Sequence, residues 1–240
     1  MGLLILNFPW KQSVLLCVRS LLKVFVIFVA VLSAGSLVYA QGVTTPPKIR
    51  IACVGDSITQ GVGAKGQDSY PAQLQRLLGD GYEVKNFGNS GSTMLRSGDK
   101  PYCLQPQYQG MLEMKADLYV VKLGTNDTKP HNWVKKADFK PSAHALIDAI
   151  RGANPRATVF VCLPVPAFPD NFGITDAVIK NGVIPELKEV AIEKKTHVID
   201  LYGALTGKAE MVPDRVHPNG DGYALISAAV AKAIRENIKP

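Results

Sequence analysis

The stretch Ile51-Ala-Cys-Val-Gly-Asp-Ser-Ile-Thr-Gln-Gly61 decides the fold. It begins in a short apolar run, Ile49 to Val54, which is broken only by Arg50 and whose length and β-branched content are typical of a buried strand. The run stops at Gly55-Asp56-Ser57, which predicts a tight turn with a serine at the carboxyl end of the strand. In open α/β sheets, ligands bind at that edge. Gly-Asp-Ser clusters are also common as plain turns and helix caps, so the stretch alone leaves both interpretations open.

The composition is that of one globular domain. Of the 240 residues, 47% are hydrophobic and 8% are aromatic, which is enough for a sizeable core. The formal net charge is +7, and Lys11, Arg19 and Lys23 supply part of it. The remaining charges are interspersed, with no long basic run, so no nucleic-acid partner is indicated.

Residues 1–40 are predicted to be a signal peptide. A positively charged leader precedes the continuously apolar run Val24–Leu32, and Val38-Tyr39-Ala40 then places small or β-branched residues before Gln41. An uncleaved membrane anchor is the alternative, but the uncharged stretch that ends at Ala40 is shorter than the roughly 20 apolar residues needed to span a bilayer. Cleavage near Ala40-Gln41 would leave an exported protein, periplasmic or extracellular, with no stable membrane association.

Strand-like and helical segments alternate along residues 49–240, which are predicted to form one domain after a linker at 41–48. The predicted strands are Ile49–Val54, Tyr82–Phe87, Leu118–Leu123, Thr158–Leu163 and Val198–Leu201. The predicted helices are 69–78, 108–115, 140–152, 176–195 with Pro185 kinking or dividing it, and 220–237. This alternation predicts a five-stranded parallel sheet covered by helices on both faces, a three-layer α/β/α sandwich.

Polar clusters directly follow the first three predicted strands. They are Gly55-Asp56-Ser57, Asn89-Ser90-Gly91 and Gly124-Thr125-Asn126-Asp127, and a fourth cluster, Asp214-Arg215-Val216-His217, precedes the last helix. Because the carboxyl ends of parallel strands lie at one edge of the sheet, the first three clusters are expected to converge.

Acyl transfer is the chemistry that needs such a set of residues. A weak nucleophile such as Ser57 needs a base, His217, and the base needs an orienting carboxylate, Asp214. The developing oxyanion needs donors already in place. The backbone N–H groups of Ser57 and Gly91 and the side-chain amide of Asn126 would serve as that oxyanion hole.

With these residues in place, the chain resembles the SGNH, or GDSL, hydrolase family of serine esterases. The first family block resembles Gly55-Asp56-Ser57-Ile58-Thr59, and the second resembles Asn86 to Gly91. The third resembles Gly124 to Asp127, and the fifth resembles Asp214 to Pro218. The blocks occur in family order across most of the predicted domain.

The resemblance implies a flavodoxin-like sheet with strand order 2-1-3-4-5, and a catalytic set of Ser57, Asp214 and His217. Neither a metal nor a cofactor is implied. Some relatives orient the histidine with a backbone carbonyl, so the alternative that Asp214 is only a turn residue stays open. Arg215 stands where the family more often has a small residue.

The leading functional hypothesis is an exported serine esterase that removes short acyl groups, chiefly acetyl, from carbohydrates. The segment Gly124 to Trp133 is similar to bacterial carbohydrate or sialate O-acetylesterases. Asp56, Asp127, His131 and Trp133 are additional candidate substrate-binding residues, although a tryptophan there suits loop packing as well as stacking on a sugar.

Three alternatives are weighed against this hypothesis. A lysophospholipase or thioesterase of the same family would prefer longer acyl chains. A carbohydrate-binding module on an inactive hydrolase scaffold would bind sugar without turnover. The segment Gly61-Val-Gly-Ala-Lys-Gly66 matches a dinucleotide-binding pattern, but it lies beyond the serine turn instead of opening a helix directly after the strand.

Overall fold

The computed structural model describes residues 47–238. The predicted signal peptide and most of the predicted linker therefore lie outside the described residues. Within residues 47–238, no helix combines the length and the apolar character that crossing a lipid bilayer requires.

Five strands form one sheet in which every pairing is parallel. They are β1 Ile49–Gly55, β2 Tyr82–Gly88, β3 Leu118–Lys122, β4 Thr158–Leu163 and β5 His197–Asp200. The order across the sheet is β2-β1-β3-β4-β5, which confirms the strand order that the family resemblance implies. Adjacent strands β1 and β3 align Ile51 with Leu118 and Gly55 with Lys122, so their carboxyl ends lie side by side.

The helices lie in the connections between strands and after the last strand. They are α1 Ser57–Gln60, α2 Tyr70–Leu78, α3 Pro106–Glu113, α4 Pro130–Trp133, α5 Phe139–Ala153, α6 Asp176–Val178, α7 Ile184–Glu193, α8 Leu201–Leu205 and α9 Gly220–Asn237. The short helices α1, α4 and α8 are not visible as periodic patterns in the sequence. Between α6 and α7, the segment Ile179–Val183 is a π-helical turn, and Pro185 falls in the first turn of α7. The predicted helix 176–195 is thus divided into α6 and α7 by the π-helical turn. Pro185 is tolerated in the first turn of α7, because an N–H at that position would have no partner within the helix.

Two apolar cores lie on opposite faces of the sheet. On one face, Val54, Val121 and Val161 pack against α3, α5 and α7. On the other, Cys53, Val120 and Phe160 pack against α2, α8 and α9. Neighbouring residues of a strand point to opposite faces, so strands buried on both sides are apolar throughout. Each fully buried large apolar side chain contributes roughly 1.5–3 kcal/mol through the area that it removes from water.

Candidate active site

The turn after β1 places Ser57 at the carboxyl edge of the sheet. The side chain of Asp56 caps α1 by accepting a hydrogen bond from the N–H of Ile58 at 3.0 Å, and Ser57 is the first residue of that helix. Gly55 is required here, because a Cβ at this position would lie 2.5 Å from the carbonyl oxygen of Lys122. Close packing of β1 against β3 therefore fixes where the serine hydroxyl lies.

A chain of hydrogen bonds joins Ser57, His217 and Asp214. Nε2 of His217 lies 2.9 Å from Oγ of Ser57, and Nδ1 lies 2.7 Å from Oδ2 of Asp214. With the proton on Nδ1, the imidazole donates to the carboxylate and accepts from the serine hydroxyl. This is the geometry that a nucleophile, a general base and an orienting carboxylate require.

The carboxylate of Asp214 is held by its own loop. Its Oδ1 accepts the backbone N–H groups of Val216 at 2.9 Å and His217 at 2.6 Å. Partial burial works against the charged form, but the hydrogen bonds from His217 and Val216 outweigh it and hold the pKa of Asp214 below its usual value. The intervening Arg215 has a φ of 74°, a left-handed conformation that is unfavourable for a long side chain. Asp214 is therefore charged and oriented where the imidazole needs it.

Two of the three predicted oxyanion-hole residues, Gly91 and Asn126, lie in loops that are bonded to one another. Asn126 follows β3, is 4% exposed, and donates one N–H of its amide to the carbonyl of Ser92 at 3.1 Å. The neighbouring Gly91 has a φ of 81°, which a residue without Cβ adopts readily. The amide of Asn126 keeps a second N–H that is available to a ligand.

Asp56 does not face the cleft, which corrects its prediction as a substrate-binding residue. Its carboxylate is fully buried and pairs with Nζ of Lys122 at 3.1 and 3.0 Å. The same ammonium donates to Oγ1 of Thr125 at 2.6 Å. Burial lowers the pKa of Lys122, and the charge of Asp56 opposes that shift. This pair ties the serine turn to the loop that carries Asn126.

Asp127 is also corrected, because its carboxylate is fully buried and faces backbone groups. Its two oxygens accept the N–H groups of Met94 at 3.0 Å and Leu95 at 2.7 Å. Burial raises the pKa of Asp127 to about 7, against the opposing effect of these hydrogen bonds. Asp127 therefore joins the loop after β3 to the loop after β2, the two loops that carry Asn126 and Gly91.

His131 and Trp133 lie on α4, beyond Asn126. The imidazole of His131 is exposed and Nε2 lies 2.9 Å from Oδ2 of Asp99. Trp133 packs edge-on against Phe139, with 5.8 Å between the ring centroids. Its ring also lies so close to Gly182 that a Cβ there would be 2.5 Å from it. Among the described residues, neither ring is hydrogen-bonded to the Ser57–His217 pair, and a role for them in substrate binding stays a prediction.

Sequence reasoning misses two residues that support the site. The sequence shows Lys122 only as a charged residue near the end of an apolar strand. Its partner Asp56 lies 66 residues away, and no local pattern indicates the pairing. Asn171, in the loop after β4, donates from Nδ2 to the backbone carbonyl of Asp214 at 2.8 Å. An Asn-Phe-Gly tripeptide is a recognisable turn signal, but it does not show what the turn contacts.

Comparisons with known proteins found a matching family model and similar curated proteins. A model of the GDSL-like Lipase/Acylhydrolase family matches residues 53–225. An acetylxylan esterase from Xylanibacter ruminicola is 39% identical over 207 residues, which cover 78% of this chain and 43% of that protein. The chain thus spans less than half the length of this relative.

Two solved structures share the fold. The acetyl xylan esterase AlAXEase superposes with a TM-score of 0.63 at 22% identity, over 78% of this chain and 100% of that one. Est24, a carbohydrate acetylesterase from Sinorhizobium meliloti, superposes with a TM-score of 0.62 at 19% identity, over 80% of this chain and 100% of that one. At these identities the likeness extends to the architecture and not to the substrate.

Proposed function

The chain belongs to the GDSL-like lipase/acylhydrolase family, and we propose that it is a serine esterase that removes acetyl groups from carbohydrates. The observation that carries the proposal is the continuous hydrogen-bonded chain from Ser57 through His217 to Asp214. The loops that carry Gly91 and Asn126 are bonded to one another, and the N–H of Asn89 donates to the carbonyl of Gly55 at 2.9 Å in the serine turn, which supports Gly91 and Asn126 as the donors that the oxyanion needs.

In the proposed acylation step, Oγ of Ser57 attacks the carbonyl carbon of the ester while Nε2 of His217 takes the hydroxyl proton. Asp214 stabilises the imidazolium that forms and keeps its ring in the productive orientation. The negative charge that develops on the carbonyl oxygen is held by the N–H groups of Ser57 and Gly91 and by the free amide N–H of Asn126.

The tetrahedral intermediate then collapses with cleavage of the bond between the acyl carbon and the sugar oxygen. His217 donates its proton to that oxygen, which leaves as a free hydroxyl, and Ser57 carries the acetyl group. A water molecule repeats the cycle: His217 takes its proton and the hydroxide adds to the acyl carbon. The bond between that carbon and Oγ of Ser57 then breaks, His217 returns the proton to Oγ, and acetic acid leaves.

The substrate class rests on the chain's relatives. The acetylxylan esterase of X. ruminicola is 39% identical over 207 residues, which cover 78% of this chain. Acetylated carbohydrate is therefore the substrate that we propose, with the sugar as leaving group.

The test is hydrolysis of p-nitrophenyl acetate, butyrate and octanoate, and of acetylated xylan, by the purified protein. We expect acetate to be preferred and xylan to release acetic acid. Replacing Ser57 by Ala should lower kcat/KM by about 10⁴-fold or more, because the nucleophile is lost and only binding and the oxyanion hole remain. Asn126→Ala should lower it by about 10²–10³-fold.

Ser97→Ala is the matched control, because its hydroxyl bonds Asp138 at the surface outside the hydrogen-bonded chain. It should leave all rates unchanged. A Ser57→Ala variant that retains near-full activity would refute the mechanism. Preference for octanoate would refute the acetyl substrate and favour a lipid or thioester.

We also propose that residues 1–40 direct export and are removed before Gln41. The supporting observation is the order of positive leader, apolar run and small-residue site in the sequence. N-terminal sequencing of the protein recovered from the periplasm or medium should begin at Gln41. Recovery of the intact chain in the membrane fraction would contradict it.

A further inference from the structure

An exposed phenylalanine lies against the proposed general base. The rings of Phe172 and His217 are 5.9 Å apart between centroids, with their planes inclined by 51°. Phe172 is nevertheless 57% exposed, which is unusual for a side chain that can bury about 150–250 Å² of apolar area. More than half of the side chain therefore stays accessible to solvent despite the contact with His217.

Phe172 is held in a conformation that disfavours its own side chain. Asn171 and Ile174 exchange backbone hydrogen bonds at 3.2 and 2.8 Å, and the two residues between them have φ of 54° at Phe172 and 75° at Gly173. Two successive positive φ angles are the mark of a tight turn that normally takes Asn, Asp or Gly. A bulky residue in the first of those positions is a genuine outlier, and such strain persists where function requires it.

The turn Asn171–Ile174 is fixed to both sides of the cleft. The side chain of Asn171 donates to the carbonyl of Asp214 at 2.8 Å, and the N–H of Phe168 donates to the carbonyl of Arg215 at 2.8 Å. On the other side, Thr175 N–H donates to Oγ1 of Thr128 at 3.3 Å, in the loop that carries Asn126. Phe172 is therefore presented at a defined place and is not the tip of a free loop.

We infer that Phe172 is the platform on which the sugar ring of the substrate rests, an inference that depends on the proposed function. His217 returns its proton to the oxygen of the leaving alcohol, so a group at the solvent-exposed side of His217 adjoins that alcohol. A pyranose presents a face of C–H bonds, which packs on an aromatic ring and removes apolar area from water. The occupant is therefore the ring that carries the ester oxygen, and the acetyl methyl lies elsewhere.

The experiment compares two acetate esters on the full-length protein. One is an acetylated xylooligosaccharide, and the other is ethyl acetate, whose alcohol is too small to reach the phenyl ring. Phe172→Leu keeps an apolar contact with His217 and removes the flat face. We expect kcat/KM to fall about tenfold on the sugar ester, mainly through KM, and to change less than twofold on ethyl acetate. Phe172→Trp should retain both activities.

Two further variants separate a loss of sugar binding from a loss of folding or a nonspecific effect. Phe172→Asn suits the left-handed backbone, so its melting temperature should equal or exceed that of the wild type while its activity on the sugar ester falls. Ile192→Ala is the matched control, since this exposed residue lies near the end of α7. It should leave both activities unchanged.

Equal losses of kcat/KM on both esters in Phe172→Leu would overturn the inference, because they would assign Phe172 to the orientation of His217. An unchanged rate on the sugar ester in Phe172→Leu would overturn it as well. A wild-type protein that hydrolyses ethyl acetate but no sugar ester would instead defeat the proposed carbohydrate substrate. The activity of the wild type on the sugar ester therefore distinguishes failure of the proposed function from failure of the inference about Phe172.

Discussion

The site is built from two regions that are held in opposite ways. Beneath the nucleophile lies a buried floor, consisting of Asp56, Lys122, Thr125 and Asp127, in which each side chain is at most 1% exposed. Above it lies a rim, consisting of the loop Asp214–His217 and the turn Asn171–Ile174. In the rim, the side chain of Asp214 is 38% exposed and Phe172 is 57% exposed.

The carboxylates of the two regions also differ in the distance along the chain that their hydrogen bonds span. The Asp56–Lys122 pair joins residues 66 positions apart, and Asp127 reaches 33 positions back to Met94. Asp214, by contrast, bonds groups two and three residues away. We infer from this difference that the floor holds the loops together, whereas the rim carries the base and the carboxylate that take part in proton transfer. Damage to the floor should therefore reduce folding stability, and damage to the rim should reduce the rate in a protein that stays folded.

The largest effect is expected in the rim. Asp214→Asn should lower kcat about 10⁴-fold, because an amide in place of the carboxylate favours the wrong tautomer of His217 and cannot stabilise the imidazolium. The measurement is kcat on p-nitrophenyl acetate beside a thermal melt. A melting temperature reduced as strongly as in a floor variant would break the distinction between the regions.

The next effect is expected in the floor. Lys122→Met removes the ammonium and leaves the carboxylate of Asp56 buried without a counter-charge, which should cost about 3–5 kcal/mol of unfolding free energy. Denaturant titration followed by circular dichroism measures it.

Lys85→Met on β2 is the control for the Lys122 variant, because Lys85 pairs with Glu83 at an exposed position. Its cost should be below about 1 kcal/mol. Equal costs for the two lysines would mean that burial of the Lys122 pair has no energetic consequence.

The smallest effect is expected at Asp127. Asp127→Asn offers one acceptor oxygen where the carboxylate offered two, so the N–H of Met94 or Leu95 loses its partner. The unfolding free energy should fall by about 1–3 kcal/mol. Denaturant titration at a single pH measures this loss, and an unchanged midpoint would contradict the role of Asp127 in joining the two loops.

The same variant tests the pH dependence that Asp127 imposes on folding. Its pKa is about 7 in the folded protein against an ordinary 3.8, so the folded state holds a proton that the unfolded chain has released between those values. Stability from this group is therefore full below pH 3.8 and declines as the pH rises toward 7. We expect wild-type stability to fall between about pH 5 and about pH 7, and this component of the slope to vanish in Asp127→Asn.

The sequence predicts those features that rest on local pattern. Apolar runs give the central strands β1, β3 and β4, because a strand buried on both faces must be apolar throughout, and Ser57 and Asn126 follow from the polar residues at the ends of such strands. The edge strands β2 and β5 are only partly buried, and His217 follows from the polar cluster before the last helix. The role of Asp127 could not be derived, since a carboxylate beside Asn126 suits substrate binding as well as support of a loop. The partner of Lys122 and the contact of Phe172 with His217 depend on tertiary distances that no local spacing encodes.

The chain separation of the nucleophile and its base has a consequence for biosynthesis. Ser57 and His217 lie 160 residues apart, although their side chains meet at 2.9 Å. A nascent chain that has emerged only as far as residue 200 contains all five strands but lacks the base, and long-range parallel pairing is slow to form. Recovery of esterase activity during refolding should therefore lag behind recovery of the sheet. The delay would measure how long the segment that carries His217 takes to pack beside Ser57.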